Sequence, residues 1–175
     1  MCWKENLAFI INNSEFSDRQ ISAWTGISTS VISNMSNQKQ ESLRVDQFLK
    51  LKLLFNENHS SFLLRIFGDK YFREVRKIQP SKNLTVLGEI LTKKFSVELI
   101  SRKELSHATG IDLARIKYII TKEDKTIKID EITKIELALG VDLGTFSKLR
   151  FPNTKLNSVA KYNTLLKKFK MGEMK

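Results

Sequence analysis

The sequence predicts an all-α protein made of two tandem copies of one small helical bundle, and three observations carry that prediction. First, blocks from the first half return in the second half at one fixed spacing. Ile21-Ser-Ala-Trp-Thr-Gly-Ile27 aligns with Leu105-Ser-His-Ala-Thr-Gly-Ile111, and Arg44-Val-Asp-Gln-Phe48 with Lys128-Ile-Asp-Glu-Ile132, so both pairs lie 84 residues apart (from 21 to 105 and from 44 to 128). Two separated blocks matching without a gap mark an internal repeat, which decides the architecture before any single element does. Second, apolar residues recur three or four apart, the period of a helix with one buried face. Third, 2 prolines and 7 glycines in 175 residues are too few for a turn-rich β sandwich or a low-complexity chain. The repeat divides the chain into a first unit (1–67), a connector (68–83), a second unit (84–150) and a tail (151–175).

The elements of the first unit follow in order. Leu7 and Ile11 belong to an opening helix. Ser17 is placed to cap the next, because a serine hydroxyl takes an orphan amide at a helix start, and Asp18 complements the helix dipole. That helix buries Ile21 and Trp24 and stops at Gly26, which suits a left-handed C-cap. Ile27 plugs the core inside the turn. Ser28 occupies the next cap, Thr29 and Ser30 stand in the first turn, and Ile32 and Met35 face inward. Val45, Phe48, Leu51 and Phe55 form the stripe of a further helix. The second unit repeats the pattern with Leu87 and Leu91, the cap Ser101, Gly110, the plug Ile111, the cap Asp112, then Ile116 and Ile119, and the stripe Ile129, Ile132, Ile135 and Leu139.

Net charge is +11, a balance that favours an anionic partner. Its distribution is more informative than its size. Residues 1–60 hold 6 cations and 6 anions and residues 83–147 hold 10 of each, so both repeat units are neutral. The excess lies in 61–82, with 6 cations against 2 anions, and in 148–175, with 8 against 1. In the connector Arg65, Lys70, Arg73, Arg76 and Lys77 alternate with Phe67, Tyr71, Phe72 and Val75. In the tail Lys161, Lys167, Lys168 and Lys170 flank Leu165, Leu166 and Phe169. Both read as amphipathic helices with a basic outer face. Such a face grips phosphates, or it is a solvated surface on which lysine stems cover apolar area; a membrane-surface helix is the minor alternative.

Several classes are disfavoured. Cys2 is the single cysteine, so an intramolecular disulfide is impossible and a reducing cytoplasm is expected. His59 and His107 read as polar surface residues and provide no zinc-ligand spacing. Polar residues Asn6, Asn12 and Asn13 interrupt the first apolar stretch, so no signal peptide is expected, and no window is apolar enough for a membrane span. No catalytic constellation, phosphate-binding glycine loop or metal set is visible. An enzyme is the least favoured reading, and no cofactor is expected.

Ser17-Asp-Arg-Gln-Ile-Ser-Ala-Trp-Thr-Gly-Ile-Ser-Thr-Ser-Val-Ile-Ser33 resembles the core of the Cro/lambda-repressor-like (XRE-type) helix-turn-helix family, through Ser22 after Ile21, Gly26, the plug Ile27, Ser28 and the Ile32-Ser33 pair. The duplicated motif extends the resemblance over most of both units. Departures are Ser36, where the family commonly has an acid, and in the second copy Lys117 in place of the serine and Ile120 in place of the acid. The resemblance implies two tandem helix-turn-helix bundles, to which the amphipathic patterns add a helical connector and a basic helical tail. It also implies a sequence-specific, DNA-binding transcription regulator of prokaryotic or phage type, cytoplasmic and nucleoid-associated, with double-stranded DNA as partner.

In that family the helix after the turn enters the major groove. Position by position, Thr29, Ser30 and Asn34 become base readers in the first unit, and Arg115 and Tyr118 in the second. An amide such as Asn34 pairs bidentately with adenine, and arginine with guanine. Ser17, Ser33, Asn37, Lys39, Lys117 and Lys122 become phosphate contacts, together with Arg73 and Lys77 of the connector and Lys167 and Lys168 of the tail. The bland alternative makes these solvated polar residues, and Ser17 a helix cap alone. In the second unit the apolar Leu113 and Ala114 suit thymine methyls or a protein surface. A protein-interaction module (an antitoxin, antirepressor or adaptor) is the runner-up function, and a homodimer joined through the second unit, with only the first touching DNA, is the competing geometry. The joined, unlike heads predict an asymmetric binding site, and the homodimer a palindrome.

Overall fold

The computed structural model describes residues 2–78, 101–121 and 126–172. Among the described residues there are ten helices and no strand, so the chain is all-α: α1 (Trp3–Asn12), α2 (Asp18–Thr25), α3 (Thr29–Ser36), α4 (Val45–Leu54), α5 (His59–Phe67), α6 (Arg102–Thr109), α7 (Leu113–Thr121), α8 (Ile129–Leu139), α9 (Thr145–Arg150) and α10 (Val159–Lys170). The expected helix around Leu87 and Leu91 lies outside the described residues.

The 84-residue spacing reappears as geometry. Helices α2, α3 and α4 begin at 18, 29 and 45, and α6, α7 and α8 at 102, 113 and 129. The Ser17 hydroxyl accepts from Gln20 N (3.4 Å) while Gln20 Oε1 accepts from Ser17 N (2.8 Å). Ser101 and Glu104 make the same reciprocal box at 3.1 and 2.9 Å, which satisfies two orphan amides at each helix start. The Glu104 carboxyl is held below its ordinary range by these Ser101 bonds. Gly26 and Gly110 end their helices with φ +69° and +68°, a region where a side chain is strained. Thr25 Oγ1 donates to Ile21 O and accepts from Ile27 N, at 2.7 and 3.2 Å. Thr109 repeats this with Leu105 and Ile111 at the same two distances. The plugs Ile27 and Ile111 are consequently held inward and buried, each contributing about 1.5–3 kcal/mol by leaving water.

The first core gathers Leu7, Ile11, Ile21, Ile32, Met35, Val45, Phe48, Leu51 and Phe62 beneath α1 to α5. A smaller core holds Leu105, Ala108, Ile111, Ile116, Ile135 and Ala138. Phe55 and Leu139, at the ends of the two predicted stripes, are half-buried, as is Ile132.

The two halves meet through equivalent residues. Arg44 and Lys128, 84 apart, form an isolated antiparallel bridge. Val45 N donates to Ile127 O (3.0 Å) and Ile129 N to Leu43 O (2.9 Å). Each bond maps onto the other under the repeat spacing, so the pairing is isologous, the pattern of a two-fold dimer built within one chain. Ile127 and Ile129 join the first core at this seam. Nearby, His59 of α5 lies over Gly144; a Cβ there would sit 2.8 Å from the imidazole, and φ is +88°.

The segments after α5 and α9 reach across this seam in reciprocal fashion. Behind α5, Arg76 N donates to Ala108 O (2.9 Å) at the C-terminal end of α6. Behind α9, Asn157 N donates to Trp24 O (2.7 Å) at the C-terminal end of α2, and Asn157 Nδ2 to Ala23 O (2.8 Å). Trp24 and Ala108 are again equivalents 84 apart. The last carbonyls of a helix have no partner within it, and each unit's trailing segment supplies one to the other unit.

Three expectations are corrected. The connector is not a helix over 68–78: α5 stops at Phe67, Gly68 takes φ +76°, and residues 69–74 turn back. Phe67, Tyr71 and Phe72 pack together with tilted and edge-on rings instead, while Ile78 N donates to Ala138 O (2.8 Å). His59 is buried rather than a surface residue, stacked edge-on against Phe48. Trp24 is half-buried and lies flat on Tyr162 of α10, with ring centroids 4.1 Å apart. The amphipathic reading of the tail is seen directly: Phe169 is buried, Tyr162, Leu165 and Leu166 half-buried, and Lys161, Lys167, Lys168 and Lys170 exposed.

Candidate nucleic-acid interface

The first candidate surface is the outer face of α3. Ile32 and Met35 anchor its inner face in the core. That leaves Ser30, Asn34 and Asn37 exposed and Thr29 and Ser33 half-exposed. Ser30, Asn34 and Asn37, spaced four and three apart, share one stripe. Ser28 occupies the N-cap but makes no cap bond; its hydroxyl pairs with that of Ser30 at 3.1 Å. The amides at the start of α3 thus face outward without a side-chain cap, an arrangement that favours an anion. Asn37 is partly engaged, its Nδ2 donating to Ser33 O at 2.8 Å and Ser33 Oγ at 3.3 Å. Ser17 is engaged in its capping box, and its hydroxyl donates to Gln20 Oε1 at 3.0 Å. Lys39 is exposed just beyond α3.

On α7 the equivalent surface has different chemistry. Asp112 Oδ1 caps the helix through Ala114 N (2.8 Å). Leu113, Ala114, Lys117 and Tyr118 are exposed. Arg115 is turned inward: its Nε and Nη2 both lie 2.8 Å from the Glu131 carboxylate, Nη2 also donates to Thr126 O (3.3 Å), and the guanidinium lies 5.1 Å from the Tyr118 ring centroid. A bidentate pair of this kind is geometrically specific, so Arg115 reaches a base only by giving up Glu131. The first unit has Val31 and Gln47 at these two positions, so the charge pair is a coordinated replacement.

Ser101, Arg102, Lys103, Leu113, Ala114 and Lys117 line an open groove of about 550 Å³ between the start of α6 and α7. Sequence reasoning passed over Arg102 and Lys103. The signal was available, since they follow a recognised cap and replace Asp18 and Arg19 of the first unit. Of the remaining phosphate candidates, Arg73 and Lys77 are exposed on the non-helical connector, Lys167 and Lys168 are exposed on α10, and Lys122 lies outside the described residues.

Apart from the lowered Glu104 beside Ser101, the electrostatic perturbations gather near the seam rather than on these faces. Burial, with Lys52 and Lys148 nearby, pushes the His59 pKa down to about 4. Its Nε2 is buried without a hydrogen-bond partner. Burial raises Glu136, while Gly144 N and Phe146 N donate to its carboxylate at 2.8 Å each. Burial and then Glu131 raise Asp130. Tyr71, which donates to Asp130 (3.2 Å), is pushed up to about 12 by burial and by that carboxylate. Among the described residues no group of three or more His, Cys, Asp or Glu is placed to hold a metal, and no helix is long and apolar enough to cross a membrane.

The fold and these faces define an all-α protein with two unlike copies of one helical surface. Neither a protein-family model, a curated protein nor a solved structure matches the chain.

Proposed function

We propose that this protein is a sequence-specific double-stranded DNA-binding regulator in which α3 and α7 enter the major groove as two heads of one chain. The observation that supports this best is the isologous pairing of Arg44 with Lys128. Two-fold related heads are what helix-turn-helix dimers use on successive half-sites. Here the equivalent seam is already filled within the chain, which favours the two-headed monomer over a homodimer joined through the second unit. Asn34, Ser30 and Thr29 read bases from the first head. Lys167, Lys168, Arg73 and Lys77 contribute phosphate contacts, which position without specifying sequence.

Selection from a random duplex library with the purified protein tests the reading. A bipartite, non-palindromic site is expected. Asn34→Ala costs about 1–3 kcal/mol at one base position of that site. Lys167→Gln with Lys168→Gln weakens all sequences alike and lowers the salt slope by about 0.9 for each phosphate no longer neutralised. Failure to enrich any sequence, with salt-independent binding, overturns the proposal.

A second reading is favoured by one observation. Leu113 is 41% exposed beside Ala114, and Arg115 is held by Glu131, so the second face has the apolar character of a protein contact.

A further inference from the structure

Resting on the DNA-binding reading, we propose that the second head recognises thymine: Leu113 and Ala114 meet thymine 5-methyl groups while Arg102, Lys103 and Lys117 hold the flanking phosphates. The two copies can be compared position by position. At the six positions lining the second groove, the first unit has Ser17, Asp18, Arg19, Thr29, Ser30 and Ser33, which carry no net charge and are polar throughout. The second has Ser101, Arg102, Lys103, Leu113, Ala114 and Lys117, with three cations, no anion and an apolar centre. Glu104, the acid next in sequence, turns back to accept Ser101 N.

The occupant follows from this chemistry. Three cations around an apolar patch match a polyanion that also offers apolar groups at its edge. Double-stranded DNA presents such a group in the major groove in one place, the thymine methyl, whereas guanine, cytosine and adenine present donors and acceptors that Leu113 and Ala114 cannot satisfy. A polar base edge buried against Leu113 loses its water and gains nothing, so the patch selects against the other bases as well as for thymine. The first head, with Thr29, Ser30 and Asn34 at the front of α3, reads by hydrogen bonds instead. The chain then recognises a composite site, one half by polar edges and one by methyl groups.

The test uses the full-length protein and a duplex selected by it from a random library, in which thymines are replaced at random by deoxyuridine, removing the methyl alone. Bound and unbound fractions are compared base by base. Replacement at one or two thymines within one half-site should weaken binding about fourfold for each methyl, the equivalent of a buried methylene. Leu113→Ser, at an exposed position, should abolish that discrimination at the same half-site and leave the other half-site's base preferences intact. Lys103→Gln should lower the salt slope more than the equivalent Arg19→Gln does. If the selected duplex is bound but is indifferent to deoxyuridine in both halves, the thymine inference fails while the DNA-binding reading stands. If Leu113→Ser changes neither discrimination nor affinity, the inference also fails. If no duplex is selected, both fail together.

Discussion

Proline at the seam breaks the internal pairing while sparing the helices that begin there. Val45 and Ile129 are each the first residue of a helix, where an amide has no partner within the helix and proline is tolerated. The residue before proline must be extended. Arg44 has φ −74° and ψ 154°, and Lys128 φ −84° and ψ 147°, so both comply. Val45→Pro therefore suits the backbone of α4, but it removes the bond to Ile127 O and sets its ring Cδ against that oxygen, where the amide hydrogen pointed; Ile129→Pro does the same at Leu43 O, so either variant forces the pairing apart. Each deleted bond removes about 1 kcal/mol, and a carbonyl left buried without a partner raises this to about 1–3 kcal/mol. Val45→Pro also changes side-chain shape in the core, for which up to about 1 kcal/mol is added. A total of at least about 2–3 kcal/mol is expected for Val45→Pro, because the ring clash adds to the lost bond, and Ile129→Pro is larger by the volume its side chain loses. Arg102→Pro is the matched control, being the first residue of α6 after an extended Ser101 (φ −65°, ψ 143°) and exposed; it should cost under about 0.5 kcal/mol. Urea unfolding measures all three. The double variant Val45→Pro with Ile129→Pro should release the halves and split a single transition into two. The reasoning is refuted if the seam variants cost no more than Arg102→Pro, or if the double variant still unfolds in one step at the original midpoint.

Two further predictions concern the same joint. His59 has a pKa of about 4 in the fold against 6.5 unfolded, so the unfolded chain binds the extra proton first as pH falls. The stability this group contributes is full above about 6.5 and is lost between there and about 4, amounting to about 2–3 kcal/mol; His59→Phe, which keeps a ring against Phe48, should flatten that part of a stability-versus-pH curve measured by urea titration. Asn157→Ala removes the Nδ2 bond to Ala23 O and should cost about 1 kcal/mol, and limited proteolysis should then cleave the tail before either helical unit, whereas equal resistance in variant and parent would show that the backbone bond to Trp24 O and the Trp24–Tyr162 stack suffice to hold α10.

The parts legible in the sequence are those encoded by local chemistry. Ser17, Ser101, Gly26 and Gly110 set helix ends through their own side chains or the lack of one, and Ile27 and Ile111 had no alternative to burial inside so short a turn. The seam was illegible because it is made by backbone amides and carbonyls, which every residue carries; only the equivalence of Arg44 and Lys128 pointed there. The connector misled because Phe67, Tyr71 and Phe72 lie at near-helical spacing, yet Gly68 ends the helix and the rings find each other across a turn. His59 read as polar, and its burial depends on Gly144, 85 positions away and without a side chain to announce the contact. Arg115 looked open to a base because Glu131 sits a turn and a helix further along. The pair became readable only by comparing the copies, where Val31 and Gln47 stand in the same places.

The reciprocal arms explain why the surplus charge lies outside two neutral units. A symmetric dimer gives each head the same arm, so both heads must manage phosphate in the same way. In this chain the segments differ after they cross. The tail carries Lys161, Lys167, Lys168 and Lys170, with no acid in α10, and it docks on α2 of the first unit. The connector lays Arg76 and Ile78 against the second unit by backbone bonds. The first unit's α2–α3 face has no net charge at Asp18, Arg19 and Ser33, and it is the unit that receives α10. The second unit receives no such helix among the described residues, and it has acquired Arg102, Lys103 and Lys117 on its own face. Positive charge thus accompanies both units by different routes, as the proposed two-headed reading requires. Unlike a self-complementary dimer, a duplicated chain can make that exchange, because each copy is free to lose a function that its neighbour's arm supplies.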